Sequence, residues 1–87
     1  MEYRILKFGA EWCGQCRVLE EKLRGFDKCK IEKIDVDSAD EELLAKYAIR
    51  SIPVAIIVDE NGEEMHKWVG LFDVKQLEEK LEELSNA

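Results

Sequence analysis

The stretch Arg4-Ile5-Leu6-Lys7-Phe8-Gly9-Ala10-Glu11-Trp12-Cys13-Gly14-Gln15-Cys16 joins an apolar segment to a pair of thiols spaced one helical turn apart. Residues 4–8 suit a central strand, and the loop from Gly9 to Gly14 hands over to a helical stretch ending near Arg24. Gly25 supplies its stop. Leu19, Leu23 and Phe26 follow Cys16 at helical spacing, which places Cys16 on the core-facing stripe. Cys13 precedes that stripe. It is expected at the helix N-terminus, as the more exposed cysteine of the two.

Outward from this stretch, strands and helices alternate. Residues 31–36 read as a second strand with Ile31, Ile34 and Val36 as its apolar members. Ser38-Ala39-Asp40-Glu41 has the form of a capping box, opening a helix with Leu43, Leu44 and Tyr47 on its apolar side. The unbroken apolar run at 54–58 suits a strand buried on both faces. Asp59-Glu60-Asn61-Gly62 is a turn signal joining it to a strand over 63–69, a hairpin. Asp73-Val74-Lys75-Gln76 opens a last helix with Leu77, Leu81 and Leu84 along one side. The order βαβαββα implies an α/β architecture with a parallel pair, an antiparallel neighbour and helices on both faces.

The chain has 87 residues, 46% hydrophobic and 38% charged, which fits one globular domain over residues 1–87. Its formal charge of −7 opposes binding to a phosphate backbone. Glu78, Glu79, Glu82 and Glu83 read as the solvated face of a helix. No apolar run approaches the roughly 20 residues that span a bilayer, and charges fall at Glu2, Arg4 and Lys7 where a secretory signal would be apolar. These features point to a cytoplasmic protein that binds neither membrane nor nucleic acid.

Cys13, Cys16 and Cys29 are too few, and odd in number, for a disulfide-stapled secreted fold. A C-x-x-C pair at a helix start fits thiol exchange instead. Unpaired backbone N–H groups and the helix dipole favour a thiolate at Cys13, and one unit of pKa depression represents about 1.4 kcal/mol. A second thiol, at Cys16, then resolves the mixed disulfide. Gly14 leaves room for an approaching backbone, and Trp12 presents a ring beside the nucleophile. Zinc is the competing reading, with Cys29 and His66 completing a Cys₃His set. It lacks a second ligand pair, so no metal is expected. Cys29 reads as an incidental thiol and His66 as a surface residue without an identifiable partner.

Through Phe8, Ala10-Glu11-Trp12-Cys13-Gly14 with Cys16, Asp35-Val36-Asp37, the segment from Lys46 to Pro53, and Val69-Gly70, the chain resembles the thioredoxin family. The resemblance implies the thioredoxin fold, a four-stranded mixed sheet flanked by three helices, without the N-terminal strand and helix of longer members. It implies Cys13 as nucleophile, Cys16 as resolving thiol, a redox-active Cys13–Cys16 disulfide and no bound cofactor. Pro53 matches the family's cis-proline. Ile52 would offer its backbone to an extended substrate, and Trp12, Val69 and Gly70 would line the docking groove, with Trp68 either joining it or simply packing. The implied partners are disulfide-containing proteins and a flavin-dependent thioredoxin reductase as electron donor, with the chain acting as a monomer. Three departures stand out. Gln15 replaces the usual proline between the cysteines. Lys7 replaces the buried acid and Lys33 sits where that acid's lysine partner belongs, so both can modulate charge or protons at the site. The segment after Gly70 lacks the paired glycines of glutathione-binding relatives. A glutaredoxin-like, glutathione-dependent reductase and a redox-switched protein-binding module are the alternatives.

Overall fold

The computed structural model describes residues 2–86. Among them the order is β1 (Arg4–Gly9), α1 (Gly14–Lys22), β2 (Lys30–Asp35), α2 (Glu41–Lys46), β3 (Val54–Val58), β4 (Glu64–Val69) and α3 (Val74–Ser85). The strands form one sheet in the order β2-β1-β3-β4. β1 pairs parallel with β2 and antiparallel with β3, and β3 pairs antiparallel with β4. The expected α/β architecture is therefore present, with a four-stranded mixed sheet and three helices among the described residues.

Strand alternation sends neighbouring residues of β1 to opposite faces, so the sheet has two cores. One joins Ile5, Leu19, Leu23, Ala55, Ile57, Phe72 and Leu77, with Leu81 and Leu84 of α3 packed against it. The other joins Leu6, Phe8, Tyr47, Val54, Ile56 and Val58, with Leu43 and Leu44 of α2 beneath. Every residue of β3 is buried, as expected of a strand covered on both sides. The face carrying α1 and α3 also carries the cysteines, since Cys13 caps α1 and Cys16 lies in its first turn.

Local differences from the sequence reading have physical causes. α1 ends at Lys22, ahead of Arg24, with Leu23 at its C-cap and Gly25 turning away at φ +84°. Ser38 does not open α2. Its N–H donates to the Asp35 carbonyl at 3.2 Å, closing the turn after β2, and Asp40 holds the cap position in extended geometry. A reachable carbonyl two to three residues back competes effectively for a serine at such a junction. At α3, the Asp73 N–H donates to Gln76 Oε1 at 2.9 Å, as its sequence signature requires.

Candidate active site

The site lies where β1 gives way to α1. Cys13 is the N-cap of α1, with extended backbone at φ −89° and ψ 110°. Its Sγ accepts a hydrogen bond from the Cys16 N–H at 3.1 Å. A sulfur at this position satisfies one of the helix's unpaired donors and sits in the positive end of its dipole. Cys13 and Cys16 are joined by a disulfide, with Cα atoms 5.2 Å apart. The pair is a two-electron couple whose reduced form places one thiol directly on a helix N-terminus.

Burial of the two cysteines is the reverse of the expected order. Cys13 is only 8% exposed, while Cys16 is half-buried. The cap geometry tucks Cys13 against the first turn, whereas Cys16 borders an open cavity of about 390 Å³. Cys16 also lies so close to β1 that a Cβ on Gly9 would stand 3.2 Å from its Sγ. Gly9 thus permits the approach of helix to strand at Cys16.

The Ile52–Pro53 peptide bond is cis, and Pro53 is buried and lines the same cavity. Its carbonyl accepts the Gly70 N–H at 2.9 Å. Gly70 has φ +95°, a conformation that strains any residue with a side chain. Ile52 packs its side chain onto the core beneath α2. Val69 is 66% exposed and Trp12 68% exposed. The Trp12 indole N–H donates to Asp37 Oδ2 at 2.8 Å, which fixes the ring to the turn after β2. Open space surrounds the missing Cβ of Gly14. Trp68, by contrast, is packing: its ring stacks on Phe72 with centroids 4.4 Å apart and packs at a steep angle to His66 with centroids 4.5 Å apart. His66 therefore has a partner and is half-buried, a correction to its reading as a surface residue.

Lys7 projects into the cavity from the centre of β1, its side chain 12% exposed. Lys33 is its direct neighbour across the β1–β2 register. Two adjacent cations are tolerated because Glu20 Oε1 lies between them, 3.7 Å from Lys7 Nζ and 3.0 Å from Lys33 Nζ. Burial pushes the Lys7 ammonium below its usual range; Glu20 opposes that shift and Lys33 adds to it. Lys33 and Lys7 in turn hold the Glu20 carboxyl below its ordinary value. Cys29 is half-buried, and burial raises its thiol pKa, which makes it a poor nucleophile. Among the described residues, no cluster of three or more His, Cys, Asp or Glu side chains is placed to hold a metal ion.

Glu20, Asp37 and Gly9 contact residues of this site, and the sequence reading gave none of them a role there. Glu20 was within reach, since it stands four residues after Cys16 and so shares its helix face.

The family model described as Thioredoxin matches residues 2–83. The chain belongs to the thioredoxin family. It is 39% identical over 84 residues to a thioredoxin of Staphylococcus epidermidis, covering 91% of this chain and 79% of that protein. It is 36% identical over 85 residues to a probable thioredoxin-2 of Caenorhabditis elegans, covering 92% of this chain and 57% of the relative. The mitochondrial thioredoxin of Mus musculus is 31% identical over 85 residues, 92% of this chain but 50% of its own length. The chain thus spans about half the length of several curated relatives it matches. The structure of a mutant thioredoxin from Halobacterium salinarum superposes with a TM-score of 0.80 at 29% identity, over 94% of this chain and 74% of the other. A Fasciola hepatica thioredoxin gives a TM-score of 0.74 at 30% identity, over 88% and 76%. The thioredoxin fold expected from the sequence is the fold of this chain.

Proposed function

We propose that this single thioredoxin domain is a thiol–disulfide oxidoreductase that reduces protein disulfides through Cys13 and Cys16. The observation that carries the reading is Cys13 Sγ acting as the N-cap of α1 and accepting the Cys16 N–H at 3.1 Å. An acceptor in that position gains most when it is negatively charged, so the reduced Cys13 is favoured as a thiolate.

The Cys13 thiolate attacks one sulfur of the substrate disulfide, and the other sulfur leaves with the electron pair and takes up a proton. Cys16, as thiolate, then attacks Cys13 Sγ. The mixed disulfide breaks, the second substrate sulfur leaves as a thiolate, and the Cys13–Cys16 bond closes with two electrons transferred. Ile52 offers backbone hydrogen bonds to an extended substrate segment beside Pro53, while Trp12, Val69 and Gly70 form the apolar rim and Gly14 leaves space for the incoming chain. A flavin-dependent thioredoxin reductase returns the electrons, and no bound cofactor takes part. The chain acts as a monomer in the cytoplasm; relatives named as mitochondrial show that the family also works elsewhere. Among the described residues no helix is long and apolar enough to cross a membrane.

Reduction of a disulfide-linked protein such as insulin, driven by a dithiol, tests the reading. The native chain should accelerate it, and Cys13→Ser should abolish the acceleration. Titration in graded dithiol/disulfide buffer, followed by Trp12 fluorescence, should show a reversible two-electron transition. A chain with no such transition, or a fully active Cys13→Ser, overturns the assignment. Turnover with glutathione as the only reductant would instead favour the glutaredoxin-like alternative.

A further inference from the structure

The cavity beside Cys16 holds charges that the exchange steps above do not use. Its lining includes Lys7 and Gly9 of β1, Cys16 and Glu20 of α1, and Lys33 and Asp35 of β2. Glu11, from the loop before α1, and Arg17 complete the charged groups around it, while Pro53 lines it from the start of β3 without a charge. The neighbour of Lys7 across the β1–β3 register is Ala55, also uncharged. Lys7 is thus a cation on a central strand, largely withdrawn from water, in the same cavity as the resolving thiol. A lysine serving only solubility would stand on an edge strand, as Lys30 does.

We propose that Lys7 is the electrostatic partner of the Cys16 thiolate during resolution, and that Glu20 is a positioning residue that tethers its ammonium in the cavity. The inference deepens the exchange reaction above and rests on it. To attack Cys13, Cys16 must first give its proton to solvent, and a desolvated cation across the cavity favours the anion left behind. Attack forms the Cys13–Cys16 bond and breaks the bond from Cys13 to the substrate, whose sulfur takes the electron pair and a solvent proton. Glu20 stands one helical turn beyond Cys16, so one helix carries both the thiol and the tether. Its Oε1 is shared with Lys33, which leans outward at the edge of the sheet. Glu20 also opposes the effect of burial on the Lys7 ammonium.

The two sulfur attacks can be timed separately in a stopped-flow reaction of the reduced chain with the chromogenic disulfide dithiobis(nitrobenzoate). A Cys29→Ser background leaves two reporting thiols. The first equivalent of chromophore marks attack by Cys13, and the second marks displacement by Cys16. Lys7→Met should slow the second phase about tenfold at neutral pH, the effect of roughly one unit on the thiol's pKa, and leave the first phase prominent. Lys7→Arg should restore the second phase and keep it at alkaline pH, because a guanidinium does not lose its proton there. Glu20→Gln should move the alkaline fall-off of the second phase to lower pH. A Lys7→Met second phase at the native rate at every pH overturns the proposal, as does failure of Lys7→Arg to restore it or an unmoved alkaline limb in Glu20→Gln. Absence of both phases in the native chain would instead sink the exchange function itself.

Discussion

The two faces of the sheet are made from the same four strands but differ in what the central strands carry. On the face covered by α2, one row across the sheet is Glu32, Leu6, Ile56 and Lys67, and the next is Ile34, Phe8, Val54 and Val69. In these two rows charges occur only on the edge strands, where they reach water or a helix end, and Arg4, which begins β1 on this face, lies 3.9 Å from Glu32. Lys67 Nζ, for instance, donates to the Tyr47 carbonyl at 2.7 Å, at the end of α2. On the face covered by α1 and α3, the rows are Ile31, Ile5, Ile57 and His66, then Lys33, Lys7, Ala55 and Trp68. Along β1 this face runs from Ile5 through Lys7 to Gly9: a core residue, a cation whose side chain is 12% exposed, and a residue with no side chain against Cys16. On this face the departure from apolar alternation in β1 lies beside the Cys13–Cys16 disulfide.

Removing Phe8 should produce the largest change. It is fully buried and its ring centroid lies 6.1 Å from that of Tyr47. Phe8→Ala should lower stability by about 3–5 kcal/mol, through lost transfer free energy and a cavity that the sheet cannot close. Urea denaturation measures this; a loss below about 1 kcal/mol would break the contrast between the faces.

The same experiment at the neighbouring position should change sign. Lys7→Met replaces a desolvated ammonium by an apolar chain of similar length and leaves Glu20 paired with Lys33, so stability at neutral pH should rise by about 1 kcal/mol. The pH dependence checks the cause. Folding weakens proton binding at Lys7, so between its lowered native value and 10.5 the unfolded chain holds more protons. Native stability therefore climbs with pH across that alkaline window, and Lys7→Met should flatten the climb. A variant at once more stable and slower in resolution would show that the cation is retained for chemistry. A destabilised Lys7→Met would mean that the ion pairs with Glu20 outweigh burial.

Gly9→Ala should act between these extremes. Its added Cβ would press on Cys16 Sγ at 3.2 Å, so helix or strand must give by a few tenths of an ångström. A cost of about 1 kcal/mol in thermal or urea unfolding is expected for such overpacking. A neutral substitution would show that the junction of β1 and α1 yields easily.

Much of this was legible in the sequence because it depends on spacing. Alternation in β1, the unbroken run of β3 and the helical recurrence of Leu19 and Leu23 fix element types and faces, and the thiol pair at a helix start locates the site. The hairpin turn was equally direct: Asp59 Oδ1 accepts the Asn61 and Glu63 N–H groups, each at 2.9 Å. What was not legible depends on groups meeting across elements. Ser38 was claimed by a carbonyl of the preceding strand. Ala48 adopts φ +52° after α2 with no glycine to announce it, beside carbonyls that Lys67 binds from β4. The burial order of the cysteines follows from cap geometry and from a cavity, neither of which a one-dimensional pattern contains. Glu20 has the correct spacing, but its role emerges only when Lys7 and Lys33 arrive from two strands.

His66 offers the smallest and sharpest test of the face that carries the site. It ends the row containing Ile5 and Ile57, and its ring packs at 75° to that of Trp68 with centroids 4.5 Å apart. Burial, then the charge of Lys80, push its pKa below 6.5, while Glu83 and Glu64 pull the other way. Below 6.5 and down to the native value, the unfolded chain thus binds more protons than the folded one. Stability contributed by neutral His66 is present above 6.5 and is lost as pH falls through that window. His66→Phe keeps a ring against Trp68 and removes the titration. Urea midpoints measured at intervals below neutrality should fall more steeply for the native chain than for His66→Phe, with carboxylate effects common to both cancelling in the difference. Parallel curves would show that the edge of this face is as well hydrated as the unfolded chain, and would confine its desolvated charge to Lys7.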